Sequence, residues 1–179
     1  MKLVLLDRDG VVNVDSEHYI KSPAEWTLLP GSGEAIGQLC AAGYRISLIT
    51  NQSGIARGLF SEHDLMAIHA AMQQSLAAFG GGIEAIFYCP HGPDDDCQCR
   101  KPRTGLLEQA AQYFKHDLHG IPFVGDSLRD LHCAMRFGCQ PTLVLTGNGQ
   151  RTQHELPAQH QVAIFDDLQA AAQQLLTTS

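Results

Sequence analysis

Leu3-Val4-Leu5-Leu6-Asp7-Arg8-Asp9-Gly10 runs four apolar residues straight into two carboxylates one residue apart, then a glycine. A short continuous apolar run reads as a strand buried on both faces, as in a parallel sheet. Asp7 and Asp9 then stand at the strand's C-terminal end, where open α/β sheets bind their ligands. Gly10 lets the chain turn there without a Cβ clash. Carboxylates this close repel each other, and a divalent cation or a shared proton relieves the repulsion. A pair of solvated turn aspartates is the other reading, so the rest of the chain decides between them.

At 179 residues the chain reads as one domain over 1–179, long enough to bury roughly 70% of its unfolded surface. It is 44% hydrophobic and 17% charged, an ordinary globular balance. A formal net charge of −7 argues against nucleic-acid and anionic-membrane partners. No apolar run approaches the ~20 residues that span a bilayer. Met1-Lys2-Leu3-Val4-Leu5-Leu6 meets Asp7 too soon for a signal peptide. The expectation is a cytoplasmic protein and, with no obvious apolar excess, a monomer.

Outward from Gly10, residues 11–31 are too irregular for a helix or strand and too long for a minimal βα turn. A long loop beside a site is usually functional, with an ordinary surface excursion as the alternative. A helix is expected from Ser32 to Gly43, with Ile36, Leu39 and Cys40 inward and Gly43 as a left-handed cap. Tyr44 to Thr50 reads as a second strand ending in Asn51-Gln52-Ser53-Gly54, which completes a βαβ unit. This end offers the Thr50 hydroxyl, with donors from Asn51, Gln52 and Ser53 that could cradle a phosphate. The same residue types also make ordinary turns.

Ser61-Glu62-His63-Asp64 resembles a capping box, and Leu65, Ile68, Met72 and Leu76 continue it as an amphipathic helix. Ile83 to Tyr88 is a third strand, and Leu107, Ala110, Ala111 and Phe114 mark a further helix. Ile121 to Val124 is a fourth strand that runs into Gly125-Asp126-Ser127. Asp126 reads as functional, whereas Asp130 fits a reciprocal cap on Ser127. Strands over 141–146 and 162–165, a Gly147-Asn148-Gly149 turn and a helix from Leu168 to Leu176 follow. The sum is an α/β fold, a doubly wound, mostly parallel sheet with helices on both faces.

The cysteines add a second feature. Three disulfides would use all six, but Cys89, Cys97 and Cys99 crowd into eleven residues together with His91. In a reducing compartment that pattern reads as metal. Three thiolates and one imidazole fill a tetrahedral Zn²⁺ shell and leave no open position, so the ion is structural. Arg100 and Lys101 follow at once, tethered to this loop. They can be held over an anionic ligand, or they can balance the acidic run Asp94-Asp95-Asp96.

Asp7, Asp9, Thr50, Asn51, Lys101 and Asp126 should therefore meet at one crevice. Asp7, Asp9 and Asp126 suit a hard, octahedral Mg²⁺ that keeps some of its waters. The lysine, hydroxyl and amides suit phosphate oxygens. No Ser–His pair offers a nucleophile, but a carboxylate can serve by forming an aspartyl-phosphate. Of the close pair, one would attack and the other would shuttle protons.

This ordered set resembles the haloacid dehalogenase superfamily of phosphatases. The resemblance implies a Rossmann-like core, with Asp7 as nucleophile and Asp9 as general acid and base. It places Thr50 and Lys101 on the transferring phosphoryl group and makes Asp126 a Mg²⁺ ligand. The first two strands are joined by a loop and one helix, which leaves no room for a large cap domain.

Asp7-Arg8-Asp9-Gly10, the run Thr50-Asn51-Gln52-Ser53-Gly54-Ile55-Ala56-Arg57-Gly58, the Cys-x-His and Cys-x-Cys knot and Arg100-Lys101-Pro102 are similar to the D-glycero-D-manno-heptose-1,7-bisphosphate 7-phosphatases. These act in bacterial synthesis of heptose precursors for lipopolysaccharide. The resemblance implies a phosphorylated sugar substrate, with the β anomer favoured. It implies a site lined by Asp15, Ser16, Glu17, His18, Asn51, Gln52, Ser53 and Arg57, with Arg100 at the substrate's distal end. Two positions depart from the pattern: Val11 stands where Thr is common, and Ser127 where some relatives carry Lys. Histidinol-phosphate phosphatase, which shares the knot, is the neighbouring alternative, and a non-catalytic phosphosugar-binding protein is the remote one.

Overall fold

A computed structural model of the chain describes residues 1–157 and 160–178. The first strand, β1 (Leu3–Leu6), is buried on both faces. Leu3 and Leu5 pack with Leu107, Ala110, Phe123 and Ala134, while Val4 and Leu6 pack with Ile36, Leu39, Ile68 and Ala171. Burying each such side chain contributes roughly 1.5–3 kcal/mol, which fixes this segment as the middle of the sheet.

Around it the chain forms α1 (Ser32–Ala41), β2 (Arg45–Asn51), α2 (Glu62–Ala77), β3 (Ala85–Cys89), α3 (Gly105–Phe114) and β4 (Pro122–Gly125). It continues as α4 (Leu128–Phe137), β5 (Gln140–Val144), α5 (Gly149–Glu155), β6 (Ala163–Phe165) and α6 (Leu168–Thr177). The strands lie in the order β3-β2-β1-β4-β5-β6, and every pairing is parallel. Side chains of α1, α2 and α6 fill the core on one face, and those of α3 and α4 fill it on the other.

Local chemistry sets the helix ends. Ser61 and Asp64 form the expected capping box on α2, and Ser127 and Asp130 form one on α4. Gly138 closes α4 in the left-handed region at φ 94°, as a residue without a Cβ can. The expected strands are present with ends displaced by one or two residues. The loop after β1 holds one short helical turn, Pro23–Glu25.

The turn expected at Gly147-Asn148-Gly149 is present and leads directly into α5, a helix the sequence did not suggest. Its sequence Gly-Gln-Arg-Thr-Gln-His-Glu has no apolar period for a reader to find. The helix is fixed by a polar contact, since Thr152 Oγ1 donates to Asp126 O at 2.8 Å.

The strand order places the site. β1 pairs with β2 on one side and β4 on the other. The gap beyond their C-terminal ends is the switch point of a doubly wound sheet. Asp7 follows β1 directly, Asp126 follows β4 directly, and Thr50 and Asn51 end β2.

Candidate active site

Asp7, Asp126 and Asp130 bring one carboxylate oxygen each within 4.8 Å of one another. Lys101 is buried among them. Its Nζ lies 2.9 Å from Asp7 Oδ1 and 2.6 Å from Asp130 Oδ1, and it donates to Ile49 O at 2.7 Å. Asn51 holds the lysine backbone from both sides: its Oδ1 accepts from Lys101 N at 3.0 Å, and its Nδ2 donates to Lys101 O at 3.2 Å.

Three carboxylates against one ammonium leave excess negative charge, which is the signature of a cation site. Burial and the Asp130 charge push Asp7 well above the usual carboxylate range, and burial and Asp130 push Asp126 up to about 6. Burial would lower Lys101, but Asp130 and Asp7 outweigh it and raise it. All three carboxylates line one cavity. Asp130 is occupied by Lys101 and by Ser127, whose N and Oγ donate to Oδ2 at 3.0 and 2.6 Å. Asp7 and Asp126 are thus the carboxylates best placed to hold Mg²⁺, with waters completing its shell.

Asp9, expected as the third Mg²⁺ side chain, points elsewhere. The Arg8 guanidinium, 1% exposed, captures it through Nη2 at 2.9 and 3.0 Å and Nε at 3.2 Å. A buried guanidinium requires a carboxylate, and Asp9 is the one within reach. Asn13 Nδ2 and Gln52 Nε2 each donate to it at 3.0 Å, and Gln52 also donates to Thr50 Oγ1 at 2.9 Å. Burial would raise Asp9, but the Arg8 charge and these donors hold it below the ordinary range.

Arg8 Nη1 also faces His69 Nε2 at 3.4 Å. Burial, with Arg8 adding to it, lowers His69 from the ordinary 6.5 to about 4. The folded state therefore requires a neutral imidazole. That contribution to stability is complete above pH ~6.5 and is lost as the pH falls from there towards ~4, because the unfolded chain takes up the proton first. Between pH 7 and 5 the wild type should lose ~2 kcal/mol more than His69→Gln, measured by urea unfolding at both values.

Asp126 is fixed by small residues and by one asparagine. Asn148 N and Nδ2 donate to Asp126 Oδ2 at 2.8 and 3.2 Å, and the same Nδ2 reaches Asp15 Oδ2 at 3.1 Å. Gly10 and Gly147 press on this carboxylate at φ +79° and +56°, and a Cβ on either would overlap Asp126 Oδ2.

The cysteine loop starts at the last residue of β3. Cys89, His91, Cys97 and Cys99 each bring one ligand atom within 4.8 Å of the others. In a tetrahedral site with Zn–S of about 2.3 Å, neighbouring sulfurs stand about 3.8 Å apart. Cys89 and Cys97 Sγ are 3.8 Å apart, and Cys89 and Cys99 Sγ are 3.2 Å apart. His91 Nδ1 lies 3.5 Å from Cys89 Sγ and 3.2 Å from Cys99 Sγ. The donor set and its spacing fit zinc. Cys133 and Cys139, read as small hydrophobes, are buried in the core.

Asp7, Lys101, Asp126 and Asp130 line a cavity of about 320 Å³. A comparison with known proteins gives the same direction. The chain is 53% identical over 176 residues to D-glycero-beta-D-manno-heptose-1,7-bisphosphate 7-phosphatase of Bordetella bronchiseptica, covering 98% of each chain. It is 49% identical to the enzyme of that name from Pseudomonas putida, covering 98% of this chain and 100% of the relative.

The chain belongs to the D-glycero-beta-D-manno-heptose-1,7-bisphosphate 7-phosphatase family. A broader family model, HAD-hydrolase-like, matches residues 98–171. The solved D,D-heptose 1,7-bisphosphate phosphatase from B. bronchiseptica, complexed with magnesium and phosphate, superposes with a TM-score of 0.97 at 52% identity. That match covers 100% of both chains.

Within this member of the heptose-bisphosphate phosphatase family, the cavity gathers nearly all the residues expected from the sequence. Asp7, Asp9, Asp15, Ser16, Glu17, Thr50, Asn51, Gln52, Ser53, Arg57, Arg100, Lys101 and Asp126 all line it. His18 does not. A tight turn, with Tyr19 N donating to Ser16 O at 3.1 Å and Tyr19 at φ 63°, brings Tyr19 to the cavity and leaves His18 exposed.

The sequence reading missed Asn148 and Arg129, both on the cavity wall, and it read Asp130 as a cap or as a support to the site. Asn148 was hidden in a glycine pair that has the composition of any turn. Asp130 does cap α4, but it also pairs with Lys101. The departures are accommodated: Val11 is buried in the core, and the Ser127 hydroxyl serves Asp130.

Proposed function

We propose that this chain removes the C7 phosphate of D-glycero-β-D-manno-heptose 1,7-bisphosphate by two in-line phosphoryl transfers through an aspartyl-phosphate. The observation that carries the reading is Asp7. It stands at a central strand end, 2.9 Å from a buried lysine and beside Asp126, at the floor of a cavity rimmed by arginines. In the first step an Asp7 carboxylate oxygen attacks phosphorus, the bond from phosphorus to the sugar oxygen breaks, and Asp9 protonates that oxygen. Asp9 is ionised in the free site, and the dianionic phosphoryl group beside it raises its pKa so that it arrives protonated.

In the second step Asp9 takes a proton from water, whose oxygen attacks phosphorus. The bond to Asp7 breaks and phosphate leaves. Lys101 and the Thr50 hydroxyl stabilise the equatorial oxygens, which is where most of the barrier reduction arises. Mg²⁺, held by Asp7 and Asp126, supplies further positive charge against the phosphoryl oxygens. The loop of Cys89, His91, Cys97 and Cys99 holds a structural zinc that fixes Arg100 and Lys101. In this reading the chain works as a cytoplasmic monomer of one domain.

The test is Mg²⁺-dependent phosphate release from both anomers of heptose 1,7-bisphosphate, beside histidinol phosphate. Release is expected to be fastest from the β anomer. Faster release from histidinol phosphate would keep the chemistry and overturn the substrate.

Two further outcomes follow from the geometry. Gly147→Ala should raise the Mg²⁺ concentration for half-maximal activity about 10- to 100-fold, because its methyl displaces Asp126. Calorimetric Mg²⁺ titration checks it. Elemental analysis should find one zinc per chain, and its removal by a chelator should lower the Tm and raise KM, since no apolar core replaces the ion.

A further inference from the structure

Among the described residues, Arg8 is the largest fully buried side chain, and it is a cation. A guanidinium taken out of water needs partners for its N–H groups. Nε and Nη2 go to Asp9, and Nη1 goes to His69 Nε2 at 3.4 Å. At 1% exposure the head of Arg8 serves these two partners and not a substrate.

His69 comes from the face of α2 that buries Leu65, Ile68, Met72 and Leu76. A polar ring on that face costs free energy unless it is partnered. Its neutral ring offers Nε2 as the acceptor for Arg8 Nη1, and it stands edge-to-face with Tyr88 at 6.5 Å between centroids. His69 itself does not line the cavity. Its one polar contact is spent on the end of the guanidinium that faces away from Asp9.

The Asp9 carboxylate is held at both oxygens. Oδ1 accepts from Arg8 Nε and Nη2 and from Asn13 Nδ2, and Oδ2 accepts from Arg8 Nη2 and Gln52 Nε2. Of these donors only Arg8 grips both oxygens, so it fixes the plane of the carboxylate as well as its place. A proton donor that serves one leaving oxygen depends on such a grip, because a misplacement of about 1 Å costs about 10²-fold in rate.

We propose that Arg8 and His69 are positioning residues for the general acid and base: His69 holds Arg8, and Arg8 holds Asp9 at the angle from which it serves the sugar oxygen. This rests on the phosphatase reading above.

The leaving group separates this role from one in stability alone. A sugar alkoxide takes a proton as it leaves, whereas nitrophenolate leaves as the anion. The experiment measures kcat/KM, with Mg²⁺, for heptose 1,7-bisphosphate and for p-nitrophenyl phosphate on one preparation of each variant. A partly unfolded preparation loses both rates by the same factor, so the ratio reports position.

In His69→Phe, which keeps a ring and loses the acceptor, the ratio of sugar to nitrophenyl ester should fall about 10-fold. In Arg8→Lys, which keeps the charge and loses the fork, it should fall about 10- to 100-fold. His69→Gln, whose Oε1 can accept from Arg8 Nη1, should restore most of the ratio. An unchanged ratio in either His69→Phe or Arg8→Lys would overturn the assignment, and so would a His69→Gln no better than His69→Phe. Asp9→Asn tests the underlying reading: an unchanged ratio there would remove Asp9 as the acid, which is a separate failure.

Discussion

Asp7→Asn abolishes phosphate release and phosphoenzyme formation, while the fold survives. The asparagine side chain has the same shape, and its Oδ1 still accepts from Arg8 N, which reaches Asp7 Oδ1 at 2.7 Å in the wild type. What it loses is the nucleophile, since an amide does not form an acyl phosphate. The rate should fall by a factor on the order of 10⁴ or more.

Stability should move the other way. Asp7 is buried beside Asp126 and Asp130, and that burial and repulsion raise its pKa. Replacing one of three crowded charges with a neutral group relieves the strain, and Lys101 keeps Asp130 as its partner. Without metal, the variant should melt at or above the wild-type temperature, as active-site substitutions often do. A phosphate-release assay beside a metal-free thermal melt checks both halves. Turnover near the wild-type rate would require a different nucleophile.

Lys101→Met should be the most damaging single change to the folded state. The lysine, 2% exposed, is the hub for Asp7, Asp130 and Ile49 O. Methionine fills much of its volume but leaves two carboxylates and a carbonyl without their cation. Breaking a buried pair in this way costs about 3–5 kcal/mol. The activity loss should be about 10²- to 10³-fold, the scale for removing one positive group from a transferring phosphoryl.

A diagnostic accompanies it. The stability deficit should shrink as Mg²⁺ is added, because a divalent cation screens the same carboxylates. Denaturant unfolding with and without Mg²⁺ measures this, and a deficit insensitive to Mg²⁺ would argue that the hub is a packing element only. Lys101→Arg should fail as well, since a rigid fork cannot replace a point donor that reaches three oxygens.

The sequence revealed position more readily than orientation. Asp7, Thr50 and Asp126 were legible because each ends an apolar run, and in a parallel sheet such ends converge. The cysteine loop was legible from ligand type and spacing. Asp9 shows the limit: its place in the chain was clear, but its direction depends on Arg8 folding back and on His69 arriving from α2, a helix sixty residues away. Asn148 and Thr152 were illegible for a related reason. They act through hydrogen bonds to Asp126, and polar contacts across distant segments leave no period in the chain.

The amide of Asn148 touches Asp126 and Asp15 at once. Anything that fixes Asp126 also restrains the loop that carries Asp15, and anything that grips that loop steadies Asp126. Two ligands whose sites are tied through one hydrogen-bond donor in this way are thermodynamically linked. Whatever factor the first adds to the affinity of the second, the second returns to the first. Metal and sugar phosphate would then assist each other's entry through one side chain, and the reciprocity needs no moving lid.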